Sequence, residues 1–109
     1  MTLAAGRLNS RVEIQAPAHT PDAAAGRRSG WRKLVSVAAE VVPMAGNVGL
    51  DDGISRAVQA YRVTIRWRRG IDTRHRLIWQ GQALRINSAV DPDQNRERLV
   101  MMCETGMPT

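Results

Sequence analysis

The side chains that most often carry out catalysis are few and far apart in this 109-residue sequence. His19, His75 and the single cysteine, Cys103, are isolated from one another, and no pair has the spacing of a metal site. Cys103 falls on the apolar side of an alternating segment, which predicts a small buried hydrophobe rather than a nucleophile. We predict that both histidines are plain surface residues. The sequence therefore predicts no enzyme, no metal and no cofactor.

The carboxylates offer little more. Asp51 and Asp52 lie in a glycine-rich segment, and Asp91 and Asp93 flank Pro92. Both settings are typical of turns. A weak cation site at the first pair is the less favoured alternative. No phosphate-binding loop and no nucleophile elbow is recognisable.

Arginine is the one chemically distinctive side chain that is concentrated. The chain has 16 Lys and Arg against 10 Asp and Glu, a formal net charge of +6, and nearly all of the positive charge is arginine. Guanidinium groups make planar, bidentate contacts with carboxylates and phosphates, so the predicted partner is nucleic acid or an acidic protein surface. A merely solvated outer face is the competing interpretation. The arginines singled out as a partner interface are Arg62, Arg66, Arg68, Arg69, Arg27 and Arg28.

Four of these arginines belong to residues 60–70, the segment around which we expect the fold to be organised. Tyr61, Val63, Ile65 and Trp67 alternate with the arginine-bearing positions, which predicts a strand with one buried and one wet face. Its aromatic residues have the opposite parity to the arginines, which argues against a platform that stacks single-stranded bases. We predict that Trp31 and Trp79 are also packing residues.

The remaining alternating segments predict about six short strands. The first of them should point Val12 and Ile14 inward and Arg11, Glu13 and Gln15 outward. The last should bury Leu99, Met101 and Cys103, and the one before it should share Leu84, Ile86, Ser88 and Val90 on one face, after a turn at Gly81-Gln82. The predicted fold is all-β, a small antiparallel β-barrel or compact sandwich in a single domain, 1–109. The predicted strands are 11–15, 31–42 (ended by Pro43), 60–70, 76–80, 83–90 and 98–104.

Three segments break the strand pattern. Residues 16–30, with two prolines and two glycines, are predicted to be a long mobile loop or a hairpin tip. Residues 44–59 are predicted to be a flexible glycine-rich loop, with one or two helical turns before the next strand as the alternative. Residues 105–109 are predicted to be a frayed tail. No segment has the apolar length of a signal peptide or a membrane span.

Taken in order, the segments resemble the phage head–tail joining family, also called head closure or stopper proteins, which has relatives in gene transfer agents. The resemblance extends from about Gly6 to Glu104. It depends on the order and spacing of several modest motifs rather than on any one of them. These are Gly6 to Gln15, Val35 to Gly46, Val63 to Ile71, Gln82 to Val90 and Leu99 to Cys103.

The resemblance implies a non-enzymatic virion component at the head–tail junction, made in the cytoplasm of a bacterial host. Such proteins form a ring, sixfold or twelvefold, between the portal and its adaptor on one side and the tail terminator or tail tube on the other. They retain packaged double-stranded DNA and give the tail its docking surface. A long loop of the family's barrel reaches into the channel. The residues that match this channel-gating loop are Gly46, Asn47, Gly49, Asp51, Asp52 and Gly53.

Two other functions remain open from the sequence. One is the adaptor or tail terminator ring of the same connector, and the other is a free nucleic-acid-binding β-barrel. The second predicts salt-dependent affinity of the isolated protein for DNA.

Overall fold

The structure, a computed structural model, describes residues 5–22, 26–45, 47–51 and 54–106. A 3-10 turn at Ala5–Arg7 precedes eight strands. Their bounds are β1 Ser10–Asp22, β2 Gly26–Pro43, β3 Asn47–Asp51, β4 Ile54–Val58, β5 Ala60–Arg66, β6 Arg76–Trp79, β7 Gln82–Val90 and β8 Arg98–Glu104.

Six of the strands form a closed antiparallel barrel in the order β1-β2-β5-β8-β7-β6, which confirms the predicted all-β barrel. Closure occurs where Glu13–Gln15 of β1 pairs with Arg76–Ile78 of β6. A closed barrel leaves no unpaired strand edge within its wall, which matters for a sheet of such short strands. Strands β3 and β4 form a separate two-stranded sheet.

The barrel interior is filled by the inward positions that alternation predicted. Val63 and Ile65 of β5 are essentially inaccessible to solvent, and Tyr61 packs edge-on against Trp79 with ring centroids 5.1 Å apart. Because the chain has no phenylalanine, aliphatic side chains provide most of the core. The buried cluster comprises Val12, Ile14, Ala39, Val63, Ile65, Leu77, Leu84, Ile86, Leu99, Met101 and Cys103.

In the segment 16–30, predicted as a loop or hairpin tip, residues 16–22 and 26–30 belong to the paired strands of a hairpin that extends far beyond the barrel. β1 and β2 remain paired from Ser10↔Ala39 to Asp22↔Gly26, whereas β1 contacts β6 only at Glu13–Gln15. The loop interpretation was wrong because cross-strand pairing overrides the turn preference of Pro17 and Pro21. The part of this hairpin that projects beyond the barrel runs from the pair Ala16↔Arg32 to the pair Asp22↔Gly26, and we call it the β1–β2 arm. It is about 20 Å long at the usual rise per residue.

Within the segment 44–59, the described residues Asn47–Asp51 and Ile54–Val58 are the paired strands of a hairpin. For these residues the prediction of a flexible loop is wrong, and so is the alternative of one or two helical turns. β3 and β4 pair from Asn47↔Val58 to Asp51↔Ile54 and with no other strand among the described residues. We call this hairpin the β3–β4 arm. Two arms account for a radius of gyration of 15.5 Å, against about 13 Å for a compact chain of this length.

The central strand is shorter than predicted. β5 ends at Arg66, which pairs with Arg98, and the chain then turns at Gly70, whose φ of +86° suits glycine. Trp67 therefore lies beyond the strand and is half-buried. The prediction that it belongs to the core was wrong. The guanidinium of Arg96 lies over its ring, 5.4 Å from the centroid.

A β-bulge in β7 changes which of its residues point inward. The pairing with β8 shifts between Ile86 and Ser88, so Ala89 packs against the core while Val90 is 52% exposed. The prediction that Ser88 and Val90 share the inner face was wrong, because an extra residue in one strand reverses its alternation.

The turn between β6 and β7 is displaced by one residue from the prediction. It consists of Gln80 and Gly81, both with positive φ, as a two-residue hairpin loop requires.

Candidate functional site

The arginines of the central segment do not form one flat cationic face. Arg62 is half-buried, whereas Arg66, Arg68 and Arg69 are exposed. Thr64 lies between Arg62 and Arg66 in β5, and its side chain points outward. It is nevertheless only 3% exposed, because Glu40 of β2 and Val100 of β8 lie directly beside it on the two neighbouring strands. The outer surface of β5 is therefore concave at its middle and open at its end.

The concave part is a groove of about 440 Å³, which we call the outer groove. Val90, which the bulge in β7 turns outward, joins Val100 and Met102 in its apolar part. An ion pair of Arg7 with Glu40, at 2.9 Å, lies at its margin. The full lining is Arg7, Glu40, Arg62, Thr64, Ser88, Val90, Pro92, Arg98, Val100 and Met102.

A second concavity, of about 320 Å³, lies where β2 and β5 separate. Pairing of these strands ends at Ala39 and Ile65, although β2 continues alongside β1 and β5 continues to Arg66 alongside β8. We call this space the β2–β5 cleft. Its lining is Leu8, Arg11, Ser36, Val37, Ala38, Arg66, Trp67 and Arg68.

The cleft is cationic and has an apolar side. Arg11, Arg66 and Arg68 are all exposed. Among the described residues, none of the ion pairs includes any of these three. Arg98, by contrast, lies 3.4 Å from Asp93. Three guanidinium groups that form no ion pair within the described residues give the cleft a positive electrostatic potential.

Hydrogen bonds fix the base of the β3–β4 arm to the barrel. The N–H of Met44 donates to the carbonyl of Ala60 at 2.8 Å. Nε2 of Gln59 donates to the carbonyls of Met44 (2.6 Å) and Ala60 (2.9 Å). The N–H of Gln59 also donates to Oγ1 of Thr105 at 2.9 Å, and the N–H of Thr105 returns a bond to the carbonyl of Gln59 at 3.0 Å. Thr105, predicted in a frayed tail, is thus held in place.

A buried arginine lies where the β1–β2 arm leaves the barrel. Arg76 is 7% exposed, and its guanidinium lies 4.5 Å from the ring centroid of Trp31. Its Nε donates to Oε1 of Gln15 at 2.7 Å, and Gln15 in turn donates to Glu13. Burial lowers the pKa of Arg76, and the nearby charge of Glu13 opposes that shift. Trp31 is thus the packing residue that was predicted.

His75 is less exposed than predicted and belongs to a turn. Its Nδ1 accepts from the N–H of Asp72 at 3.2 Å and lies 3.1 Å from Oδ1 of the same residue. Side-chain and backbone hydrogen bonds from Arg74, with a smaller contribution from His75, lower the pKa of Asp72 to about 2. These contacts hold the turn between Asp72 and His75 in place, and they do not pair a nucleophile with a base.

Cys103 is 1% exposed, as predicted, and burial raises the pKa of its thiol to about 12. Within the described ranges, no three His, Cys, Asp or Glu side chains are grouped to hold a metal ion. No helix in that part of the chain is long and apolar enough to span a bilayer.

The predicted site residues separate into two groups. Arg66 and Arg68 meet in the β2–β5 cleft, Arg62 lines the outer groove, and Arg69 lies exposed in the turn beyond β5. Arg27 and Arg28 are in β2, on the β1–β2 arm, and their side chains are outside the described set. Of the predicted channel-gating residues, Asn47, Gly49 and Asp51 belong to β3, while Gly46, Asp52 and Gly53 lie outside the described residues.

Sequence reasoning missed Arg11, Gln59 and Thr105. Arg11 was read only as an outward residue of the first strand. Its proximity to Arg66 follows from the pairing of β1 with β2 and of β2 with β5, which is a tertiary property. No local signal identifies Gln59 and Thr105 as partners either, because they are 46 positions apart.

Comparison with known proteins identifies the family. The family model described as phage head completion protein matches residues 3–106. A search of curated proteins gives no match. Among solved structures, a chain from the virion of a native gene transfer agent particle is similar with a TM-score of 0.73 and 19% identity, over 89% of this chain and 93% of that one.

A protein from Shigella flexneri 2a, solved in solution, is similar with a TM-score of 0.71 and 24% identity, over 98% of this chain and 100% of that one. At these identities the structural likenesses show the shared fold. The family match covers nearly the whole chain, and it shows that this chain belongs to the phage head completion proteins, structural components of the virion.

Proposed function

We propose that the protein is the head closure, or stopper, ring of the head–tail connector. In this proposal, copies of the barrel assemble side by side under the portal and its adaptor after packaging. Together they retain the double-stranded DNA and offer a docking surface to the tail terminator or tail tube. The ring has six or twelve copies, and the protein has no catalytic task.

The observation that carries the proposal is the division of the chain into a closed barrel and two projecting hairpins. All barrel strands are paired within the barrel, whereas the β3–β4 arm pairs only with itself among the described residues. It can therefore change its angle to the barrel without breaking a barrel strand pair. A ring element that closes a channel needs a part of this kind, joined to a rigid body that neighbouring copies hold in place.

The proposed gate is the β3–β4 arm. Its sequence combines Gly49 and Gly53 with the acidic pair Asp51-Asp52. Carboxylates facing packaged DNA repel its phosphates, so a ring of such tips favours a closed channel over one occupied by DNA. The distributed arginines, among them Arg62 and Arg66, are assigned to neighbouring proteins of the connector, where each copy adds a modest contact that the ring multiplies.

The test is a deletion of Asp51–Gly53 in particles assembled with the variant protein. Because the deletion shortens the tip and leaves the hydrogen bonds at Gln59 in place, we expect folded protein that enters particles but releases DNA from filled heads. A matched control deletes residues 23–25, which connect β1 to β2 in the sequence, and should leave heads full. Heads that stay full after the first deletion contradict the gate assignment.

The alternatives make different predictions. An adaptor or tail terminator ring copurifies with portal or with tail-tube protein in a different order of assembly, and imaging of the particle places it directly. A free nucleic-acid-binding barrel binds duplex DNA as an isolated monomer, with affinity that falls steeply as salt rises. A stopper ring should show little such affinity before it assembles, so a gel shift across salt concentrations separates the two.

A further inference from the structure

One edge of β2 is left without a neighbouring strand. β2 pairs with β5 only over Ala39–Pro43, although it runs back to Gly26 alongside β1. From Gly26 to Ala38, no described strand lies on its other side. An unpaired edge of this length is a template for another strand, and natural proteins protect such edges unless they are used.

The opposite edge of the same arm is protected. Pro17 and Pro21 lie in β1, where each removes a backbone donor. A proline is tolerated in a strand where its missing N–H would face away from the partner, so these two positions interrupt the outer edge of β1. The exposed edge of β2 contains no proline between Gly26 and Ala38. The pairing of β2 with β1 shifts register between Ile14 and Gln15, which leaves Leu34 as an extra residue of β2 and interrupts its open edge there. The uninterrupted part of the open edge next to the barrel is Val35–Ala38, and this part is able to accept a strand.

The alternation of the ladder shows which backbone groups face the cleft. Pro43 lies opposite Tyr61 of β5. Because proline has no N–H to donate, it occupies a position at which the backbone N–H and C=O groups point away from β5. Between the bulge at Leu34 and Pro43, positions of the other parity point toward the β5 side. Ser36 and Ala38 have that parity, and both line the β2–β5 cleft. Their N–H and C=O groups therefore lie at the end of the open edge where the unpaired arginines converge.

The side chains that line the β2–β5 cleft indicate the chemistry of the ligand that fits it. Arg11, Arg66 and Arg68 call for carboxylates, and Leu8 and Trp67 offer apolar contact beside them. Backbone pairing along an edge with alternate side chains in pockets is the way that extended peptides bind to sheets. A second copy of this chain is a poorer occupant of the cleft, because the chain has only 10 Asp and Glu against 16 Lys and Arg and the cleft favours a locally acidic strand.

We propose that the edge of β2 from Val35 to Ala38 binds an extended, acidic segment of another virion protein as an added β-strand. The segment ends in the β2–β5 cleft, where its carboxylates contact Arg11, Arg66 and Arg68. This inference deepens the proposed function, since the partner is a connector neighbour. It concerns a surface distant in sequence from the proposed gate and is tested without particles.

The test is NMR titration of the isolated protein with a short peptide of alternating glutamate and valine residues. A peptide of alternating lysine and valine is the charge control, and a short DNA duplex tests the competing phosphate ligand. We expect the acidic peptide to shift and protect the amides of Ser36 and Ala38. Arg66→Glu should weaken binding by on the order of tenfold or more, as for close charge pairs at interfaces. Arg85→Glu, at an exposed position on β7, should leave binding unchanged.

A second pair of variants tests the backbone pairing. Ser36→Pro removes the N–H that faces the cleft and should weaken peptide binding and lower the protection of the Ala38 amide, whereas Ser36→Thr keeps the N–H and should bind as the parent does. The inference is overturned if the lysine peptide binds as well as the acidic one, if the duplex protects the same amides more strongly, or if no peptide protects them. None of these outcomes bears on DNA retention by the β3–β4 arm, so the two proposals fail separately.

Discussion

Gln59 provides the clearest test of how the β3–β4 arm is held. Its side-chain Nε2 donates to the carbonyls of both Met44 and Ala60, at 2.6 and 2.9 Å, and so joins the two strands where the arm begins. Gln59→Ala removes both bonds and leaves the backbone bond to Thr105 in place. Each bond contributes about 0.5–1.5 kcal/mol net. Because the bond to Met44 is exposed to solvent, it lies at the low end of this range, and the base of the arm should lose about 1–2 kcal/mol in all.

A loss of that size raises the population of the opened base roughly 5- to 30-fold. Native-state hydrogen exchange measures this directly, because local opening governs exchange at the base amides. The amide of Met44, bonded to Ala60, should exchange faster by the same factor. Amides of the barrel core, such as that of Val63, should change far less.

Gln82→Ala is the matched control. Gln82 is exposed at the start of β7, and no side-chain hydrogen bond of it is present among the described residues. Its replacement should leave exchange at Met44 unchanged. If Gln59→Ala also leaves that exchange unchanged, the hydrogen bonds at the base do not hold the arm. If all amides accelerate equally, the arm and barrel open together, and the division into a rigid body and a movable arm is wrong.

Three further predictions follow from burial and charge. Ile65→Ala should lower the free energy of unfolding by about 2–5 kcal/mol in denaturant titration, because a fully buried side chain is removed; the exposed neighbour Arg66→Ala should change it by less than about 0.5 kcal/mol. Cys103, with a thiol pKa of about 12, should resist thiol reagents at pH 8 in the folded protein and react on unfolding; fast reaction of the native protein contradicts its burial. Because Asp72 has its pKa lowered from 3.8 to about 2, its contribution to stability is complete above about pH 4 and is lost as pH falls toward 2. Asp72→Asn should remove that part of the acid dependence of Tm, and an unchanged acid profile refutes the assignment.

The arginines of the chain differ in whether a carboxylate lies beside them. Arg98 is compensated by Asp93 and Arg7 by Glu40, and these pairs stabilise the barrel's outer surface only modestly. Arg11, Arg66 and Arg68 face the cleft instead. Composition alone does not reveal this difference among the arginines of the described residues.

Local alternation was sufficient to predict the barrel wall. Val12, Ile14, Val63, Ile65, Leu99, Met101 and Cys103 are buried as predicted, because a period of two with β-branched residues on one side specifies both the strand and its inner face. The family resemblance was also visible in the order of these segments, and the family match confirms it. The sequence thus determined the fold class, the main core positions and the family.

Tertiary structure decided what lies outside that wall. Pairing of β1 with β2 carries strand structure through Pro17 and Pro21, whose local preference is for a turn, because each proline occupies a place where no donor is needed. The bulge at Ser88 turns Val90 outward, and the separation of β2 from β5 opens the cleft that joins Arg11 to Arg66. These features depend on contacts between segments distant in the chain, and such contacts are settled only when the barrel closes.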